Sequence, residues 1–195
     1  ILGIDFNPKI SLTLIGSGTG LCYSSDGPTH HSLDDLALLR PFKNINILTP
    51  SNYNESQTIF NFIKRKGGIN YIRLDKGSYL FENKLISISN NTNLLKIKKT
   101  KSFKCLISYG VVLNNLIQHF PLSDIKINLV NFIKINPVSN ETINHLNKFN
   151  SILVVEESLS NVSLSSILRN SLYGKKINIK KISIKNNNNY IYGSR

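Results

Sequence analysis

The chain contains no tryptophan and no methionine, and its 195 residues include only two cysteines. Cys22 and Cys105 have neither metal-ligand spacing nor a disulfide framework around them, which excludes a thiolate metal site and a disulfide-stapled secreted scaffold and makes a reducing cytosol the default. Acidic residues are few, 11 against 24 lysines and arginines. Arginine, the bidentate reader of phosphates and base edges, appears only as Arg40, Arg65, Arg73, Arg169 and Arg195. The net charge of +13 therefore rests on lysine. The clusters at Lys96, Lys98, Lys99, Lys101 and Lys104 and at Lys175, Lys176, Lys180, Lys181 and Lys185 lack the interleaved aromatics of a single-strand-binding surface. Asn and Ile are abundant as well, including the run Asn186 to Asn189. The charge thus reads as a solvated surface shaped by an AT-rich coding sequence, and nucleic acid is set aside as a partner. No apolar run is long enough to cross a bilayer, and the first residues lack a signal peptide's basic region and cleavage site. A membrane is set aside too.

What is present is a 41% hydrophobic chain, ample for a core, in which apolar runs alternate with helical spacing. Ile10 to Ile15 reads as a strand. It ends at Gly16-Ser17-Gly18-Thr19-Gly20, which has neither the dinucleotide register nor a P-loop lysine and reads as flexible backbone near a site. Ser32 to Arg40 reads as a helix with a Ser32/Asp35 capping box, buried on most sides. A strand follows at Ile45 to Leu48. A helix opening at Pro50-Ser51 then carries Ile59, Phe60 and Ile63 and ends in Lys64, Arg65 and Lys66 before Gly67-Gly68. Strand Ile69 to Leu74 closes this part.

From Asp75 to Ser102 the pattern loosens into a connection with one short strand at Leu94 to Ile97. A second alternation then begins: strand Phe103 to Ser108, a helix through Val112 to Phe120, strand Ile125 to Val130 and a helix from Ser139. Strand Ile152 to Val155, a helix near Leu164 to Leu172 and a strand near Ile177 to Ile184 complete it. Strands alternating with helices, some apolar on both faces, indicate an α/β protein of two domains, each a mostly parallel sheet flanked by helices. The boundaries read as 1–78, a linker at 79–102, and 103–195.

Chemistry is concentrated at Asp26-Gly27-Pro28-Thr29-His30-His31-Ser32, where a Gly-Pro bend gathers a carboxylate and two imidazoles before the run Leu33-Asp34-Asp35-Leu36-Ala37-Leu38-Leu39-Arg40. Singly, each residue suits an ordinary turn. Together, an Asp-Gly-Pro-Thr-His turn before a "DLALLR" helix resembles the thiamine-diphosphate enzymes of the transketolase family. Asn46 to Asn52 and Tyr71 to Leu74 resemble that family's next strands. Ser108-Tyr109-Gly110, Val154-Val155-Glu156-Glu157 and Tyr192-Gly193-Ser194-Arg195 resemble features of its C-terminal domain. The chain resembles the later half of the pyrimidine-binding domain plus the C-terminal domain, and reads as a fragment of a longer protein or one piece of a split enzyme.

The resemblance implies a transferase that moves a two-carbon ketol unit between sugar phosphates in the cytoplasm, using thiamine diphosphate. Magnesium and the diphosphate would be held by the missing domain, with no metal ligands here. It implies that Asp26 and His30 contact substrate hydroxyls and serve catalysis, and that Arg73 grips the sugar phosphate. Histidine suits the role because it titrates near neutrality. A homodimer or a complementary N-terminal subunit is implied as partner. The alternatives are a 1-deoxy-D-xylulose-5-phosphate synthase-like enzyme, since His31 also occurs there, and a non-catalytic subunit that keeps the fold. Two departures stand out: the glycine-rich loop replaces a phosphate-binding histidine, and Asn161-Val162-Ser163 replaces a Gly-Gly pair. Glu156 and Glu157 read as a structural strand end. His119 and His145 carry no motif and no role.

Overall fold

A computed structural model describes residues 10–76, 91, 93–159 and 163–184. The expectations for Tyr192 to Arg195, for Asn161-Val162 and for much of the 79–102 connection lie outside the described residues. Two mostly parallel sheets are flanked by helices, the α/β architecture that the alternation indicates. The first holds β1 (Leu12–Ser17), β2 (Ile45–Leu48), β3 (Ile69–Leu74) and β7 (Lys134–Asn136) in the order β1-β3-β2-β7. The second holds β4 (Leu95–Lys98), β5 (Lys104–Ser108), β6 (Asn128–Asn131), β8 (Ser151–Leu159) and β9 (Asn178–Ile184) in the order β4-β6-β5-β8-β9. Among the described strands, only β7 and β4 run antiparallel to their neighbours.

The helices are α1 (Asp35–Leu39), α2 (Tyr53–Lys66), α3 (Gly110–His119), α4 (Asn140–Leu146) and α5 (Leu164–Ser171). The α2 start is well determined: the Asn52 side chain accepts from the Glu55 N–H at 2.9 Å, and the Glu55 carboxylate accepts from the Ser51 N–H at 2.7 Å. Reciprocal capping of this kind satisfies donors that the helix cannot. At the other end the Gly67 N–H reaches the Ile63 carbonyl at 2.7 Å, just after the three cations.

Three expectations need correction. The helix placed at 32–40 shrinks to α1, and its buried face is narrow: Leu36 is fully buried but Leu38 is 71% exposed. Its capping box does not form, because the Ser32 backbone is bridged to Gly20 and the Asp35 carboxylate is drawn to partners on β3. On α2 it is Phe62, one turn from Ile59, that packs inward, leaving Phe60 at the surface.

Strand β7 was invisible to the alternation. It leaves the second half of the chain and pairs with β2 in the first sheet. The core is correspondingly shared, with Ile45, Ile47 and Tyr71 in one apolar cluster with Ile107, Phe132, Ile135, Ile152 and Leu164. A smaller cluster of Leu48, Ile59, Phe62 and Ile72 sits under α2 and also takes in Ile133.

Candidate active-site turn

Parallel sheets place functional loops at the carboxyl ends of their strands. The loop that leaves β1 there runs from Gly18 through the turn to Ser32. Its two ends are stitched together, the Gly20 N–H donating to the Ser32 carbonyl at 3.1 Å and the Ser32 N–H to the Gly20 carbonyl at 2.9 Å. The Gly18 N–H also donates to the Leu74 carbonyl at 2.8 Å. The glycine loop is therefore locked, not flexible as expected. Gly18 and Gly20 have φ of 82° and 64°, and a Cβ at either would collide with the Tyr23 ring or the Glu157 carboxylate. Only glycine meets both demands.

Inside this closed loop, single 3₁₀ turns at Ser24–Asp26 and Pro28–His30 flank Gly27 and present the polar groups outward. Asp26, Thr29 and His30 are exposed. The Thr29 hydroxyl lies 3.0 Å from His30 Nδ1, and the Tyr23 ring stands 6.4 Å from the imidazole. His31 differs: its Nε2 is buried with no hydrogen-bond partner among the described residues. The turn thus carries exposed acid–base groups and one unmet polar atom.

Arg73 lies behind this surface, 3% exposed. Its Nε donates to Asp35 Oδ2 at 2.7 Å and its Nη2 to Oδ1 at 3.1 Å. The Tyr71 hydroxyl donates to the same carboxylate at 2.9 Å, and so does the Leu36 N–H. Burial, the largest single influence, lowers the Arg73 pKa, but the charge and hydrogen bonds of Asp35 together with Tyr109 and Tyr71 outweigh it, so the guanidinium stays protonated. Burial and then the Asp35 charge push the Tyr71 phenol up, which keeps it a donor. Asp35 therefore ties the start of α1 to the end of β3.

The chain of contacts continues into the second sheet. Arg73 sits over the Tyr109 ring, 5.8 Å from its centroid, and the Tyr109 hydroxyl donates to Glu156 at 3.1 Å. Burial first, then Glu156, raises the Tyr109 pKa. Glu156 accepts the N–H groups of Leu164 at 2.7 Å and Ser165 at 3.1 Å, holding the start of α5. Sequence reasoning missed Asp35 as an anchor, and with it Tyr71 and Tyr109. The available signal was an arginine inside a β3 segment otherwise suited to burial, which requires a carboxylate partner.

Among the described residues no group of three or more His, Cys, Asp or Glu could hold a metal ion, and no helix is long and apolar enough to cross a membrane. With its glycines filled by Tyr23 and Glu157, the loop offers no cradle for a diphosphate. Its donor set fits hydroxyl and proton contacts instead.

Residues 6–80 match the family profile described as "Transketolase, pyrimidine binding domain". An apulose-4-phosphate transketolase subunit of Actinobacillus succinogenes is 26% identical over 191 residues, 95% of this chain and 61% of that protein. Over most of its length the chain is similar to members of the transketolase family. The 1-deoxy-D-xylulose-5-phosphate synthase of Malacoplasma penetrans is 29% identical, over 92% of this chain and 29% of its own length. Among solved structures, one described as "Split gene transketolase, inactive beta4 tetramer" has the same fold, with a TM-score of 0.75, 18% identity and coverage of 92% of this chain and 59% of its own. The chain spans about three fifths of the transketolase subunit and under a third of the synthase.

Proposed function

We propose that this chain is the C-terminal portion of a thiamine-diphosphate-dependent transketolase-like enzyme, transferring a two-carbon ketol unit between sugar phosphates in the cytoplasm. The observation that carries the reading is the locked turn at the carboxyl end of the first sheet, which holds Asp26 and His30 exposed on a rigid frame. Thiamine diphosphate and magnesium are held elsewhere in this proposal, by a complementary N-terminal subunit or the missing part of the same chain. When bound, the cofactor would supply the carbanion-type nucleophile that ketol transfer needs. The chain's own residues bind and position the sugar: Asp26 accepts a hydrogen bond from a hydroxyl beside the reacting carbon, and His30 bonds the terminal hydroxyl and manages its proton. His31 Nε2 gains a partner when the other half closes over the turn.

Arg73 contributes as a positioning residue in this proposal. Its guanidinium is spent on Asp35, so a direct grip on a sugar phosphate would require breaking that pair. The enzyme assembles as a homodimer or with its complementary subunit, and the resemblance to one subunit of a transketolase and to a split-gene protein supports the second arrangement.

A synthase-like activity is the second reading, favoured by the 29% identity to 1-deoxy-D-xylulose-5-phosphate synthase. Assaying the chain together with its upstream half, cofactor and magnesium separates the two. A ketose phosphate donor with an aldose phosphate acceptor should turn over; turnover only with pyruvate and glyceraldehyde phosphate transfers the assignment to the synthase class. If the assembled, cofactor-loaded protein turns over neither, the chain is a non-catalytic subunit that keeps the fold.

A further inference from the structure

At the far end of the second sheet from Tyr109, where β5 begins, lies a cavity of about 260 Å³. One strand, β5, separates it from the end nearest the proposed active-site turn, roughly 15 Å at the usual rise per residue. Lys96, Lys98, Lys99, Lys101 and Lys148 line it, and among the described residues no carboxylate does. Lys98 Nζ donates to the carbonyls of Leu122 and Ser123, which orients that ammonium without cancelling its charge.

The lysine cluster reads as lacking interleaved aromatics, but Phe103 stands between Lys101 and Lys104 and, 68% exposed, lines the cavity, and the fold adds Phe149 to the lining. His145 lines it too, its ring edge-on to Phe149 at 5.6 Å and 84°. The lysine turn is held rigidly. Asn128 Nδ2 donates to the carbonyls of Ser102 at 2.7 Å and Lys104 at 3.1 Å, and its Oδ1 accepts from the Thr100 N–H at 3.0 Å. Burial, and then the charges of Lys96 and Lys148, push His145 below the usual imidazole value. The positive field is thus felt by a neighbouring ring.

Five like charges around a small, preorganised space repel one another unless an anion joins them. The volume lies just below that of ordinary drug-sized pockets, which limits the ligand to a small molecule, and the lysines surround one cavity instead of tracking a groove. We propose that this cavity binds a nucleoside diphosphate or triphosphate, its phosphates on the lysine rim and its planar base against Phe103. This inference is independent of the proposed ketol transfer.

The test is calorimetric titration of the 195-residue chain with ADP and with inorganic pyrophosphate at low and physiological salt. Both should bind, ADP more tightly, and both should weaken with salt. The pair Lys99→Gln and Lys101→Gln should weaken both ligands about tenfold or more, as expected for lost charge-assisted hydrogen bonds. Phe103→Ala should weaken ADP about fivefold and leave pyrophosphate unchanged, the size of a lost base–aromatic contact; Phe103→Leu replaces it if the alanine variant does not fold. The pair Lys175→Gln and Lys176→Gln should change neither, and the His145 ring pKa, followed by NMR, should rise on ADP saturation. Four results would each overturn the proposal: no heat with either ligand at millimolar concentration, equal losses in the Lys175/Lys176 pair, ADP no tighter than pyrophosphate, or a single-stranded oligonucleotide binding more tightly than ADP.

Discussion

At the residue scale, Asp35 carries more of the structure than its place at a helix start suggests. It is the counter-charge of a buried arginine, and removing one partner of a buried pair leaves an uncompensated charge. Asp35→Ala should therefore lower stability by about 3–5 kcal/mol in urea unfolding, a range measured for such losses. His30→Ala, at an exposed site, should stay within about 0.5 kcal/mol of the parent. Equal effects would contradict the assignment of Asp35 as the anchor of the turn. The two cysteines make a second residue-scale prediction. Burial pushes the Cys105 thiol up to about 12, so little thiolate exists at neutral pH. Cys105 should resist alkylation until the protein is unfolded, as read by intact mass; rapid modification in the native state would contradict its burial. The sequence marked Asp26, His30 and Arg73, and the fold places Asp26 and His30 exposed on one turn with Arg73 buried behind it. The sequence did not carry the direction in which each points. An aspartate three residues after a serine fits a cap, and only the approach of β3 decides that its carboxylate turns to Arg73 and Tyr71 instead.

At the element scale, what was legible depended on whether local signals were sufficient. Helix α2 shows both cases. Its end, with three cations before Gly67, was readable because dipole and capping effects act within one turn. Its inward face was misread between Phe60 and Phe62, because two phenylalanines two residues apart lie on different sides of a helix and only packing chooses between them. The N-cap gives the prediction at this scale. Asn52→Ala removes the acceptor for the Glu55 N–H and should cost about 1 kcal/mol, whereas Asn52→Asp should retain most of the stability. Strand β7 was missed for a different reason. It is three residues long and pairs with β2, far away in sequence, so no periodicity within the segment could announce it. The glycine loop was misread likewise: its rigidity comes from Ser32, Tyr23 and Glu157, not from the glycines themselves.

At the scale of the whole molecule, the two sheets are joined by more than the connection between them. Strand β7 crosses into the first sheet, the apolar cluster is continuous across both, and Arg73 over Tyr109 links the turn to Glu156 and α5. A second polar link runs from Glu55 to Asn131, whose Nδ2 donates to both carboxylate oxygens at 2.8 and 2.9 Å. Scanning calorimetry of the chain should therefore show one cooperative transition. Two separated transitions would mean that the halves at 1–78 and 103–195 act as independent units. The link through Glu55 adds a pH dependence, because burial raises its pKa above the ordinary 4.5 despite the hydrogen bonds it accepts. A folded-state carboxyl raised in this way favours folding most below pH 4.5 and loses that contribution as pH rises through the folded value. Glu55→Gln should flatten this part of the stability profile.

The central claim is that the locked turn presents Asp26 and His30 to a substrate held with the complementary half of the enzyme. Its most direct test is ketol transfer by the assembled protein with thiamine diphosphate and magnesium, comparing the parent with His30→Ala at matched folding and assembly. Loss of a positioned acid–base group should lower kcat by about a hundredfold or more. An assembled His30→Ala enzyme that turns over at the parent rate would contradict the account.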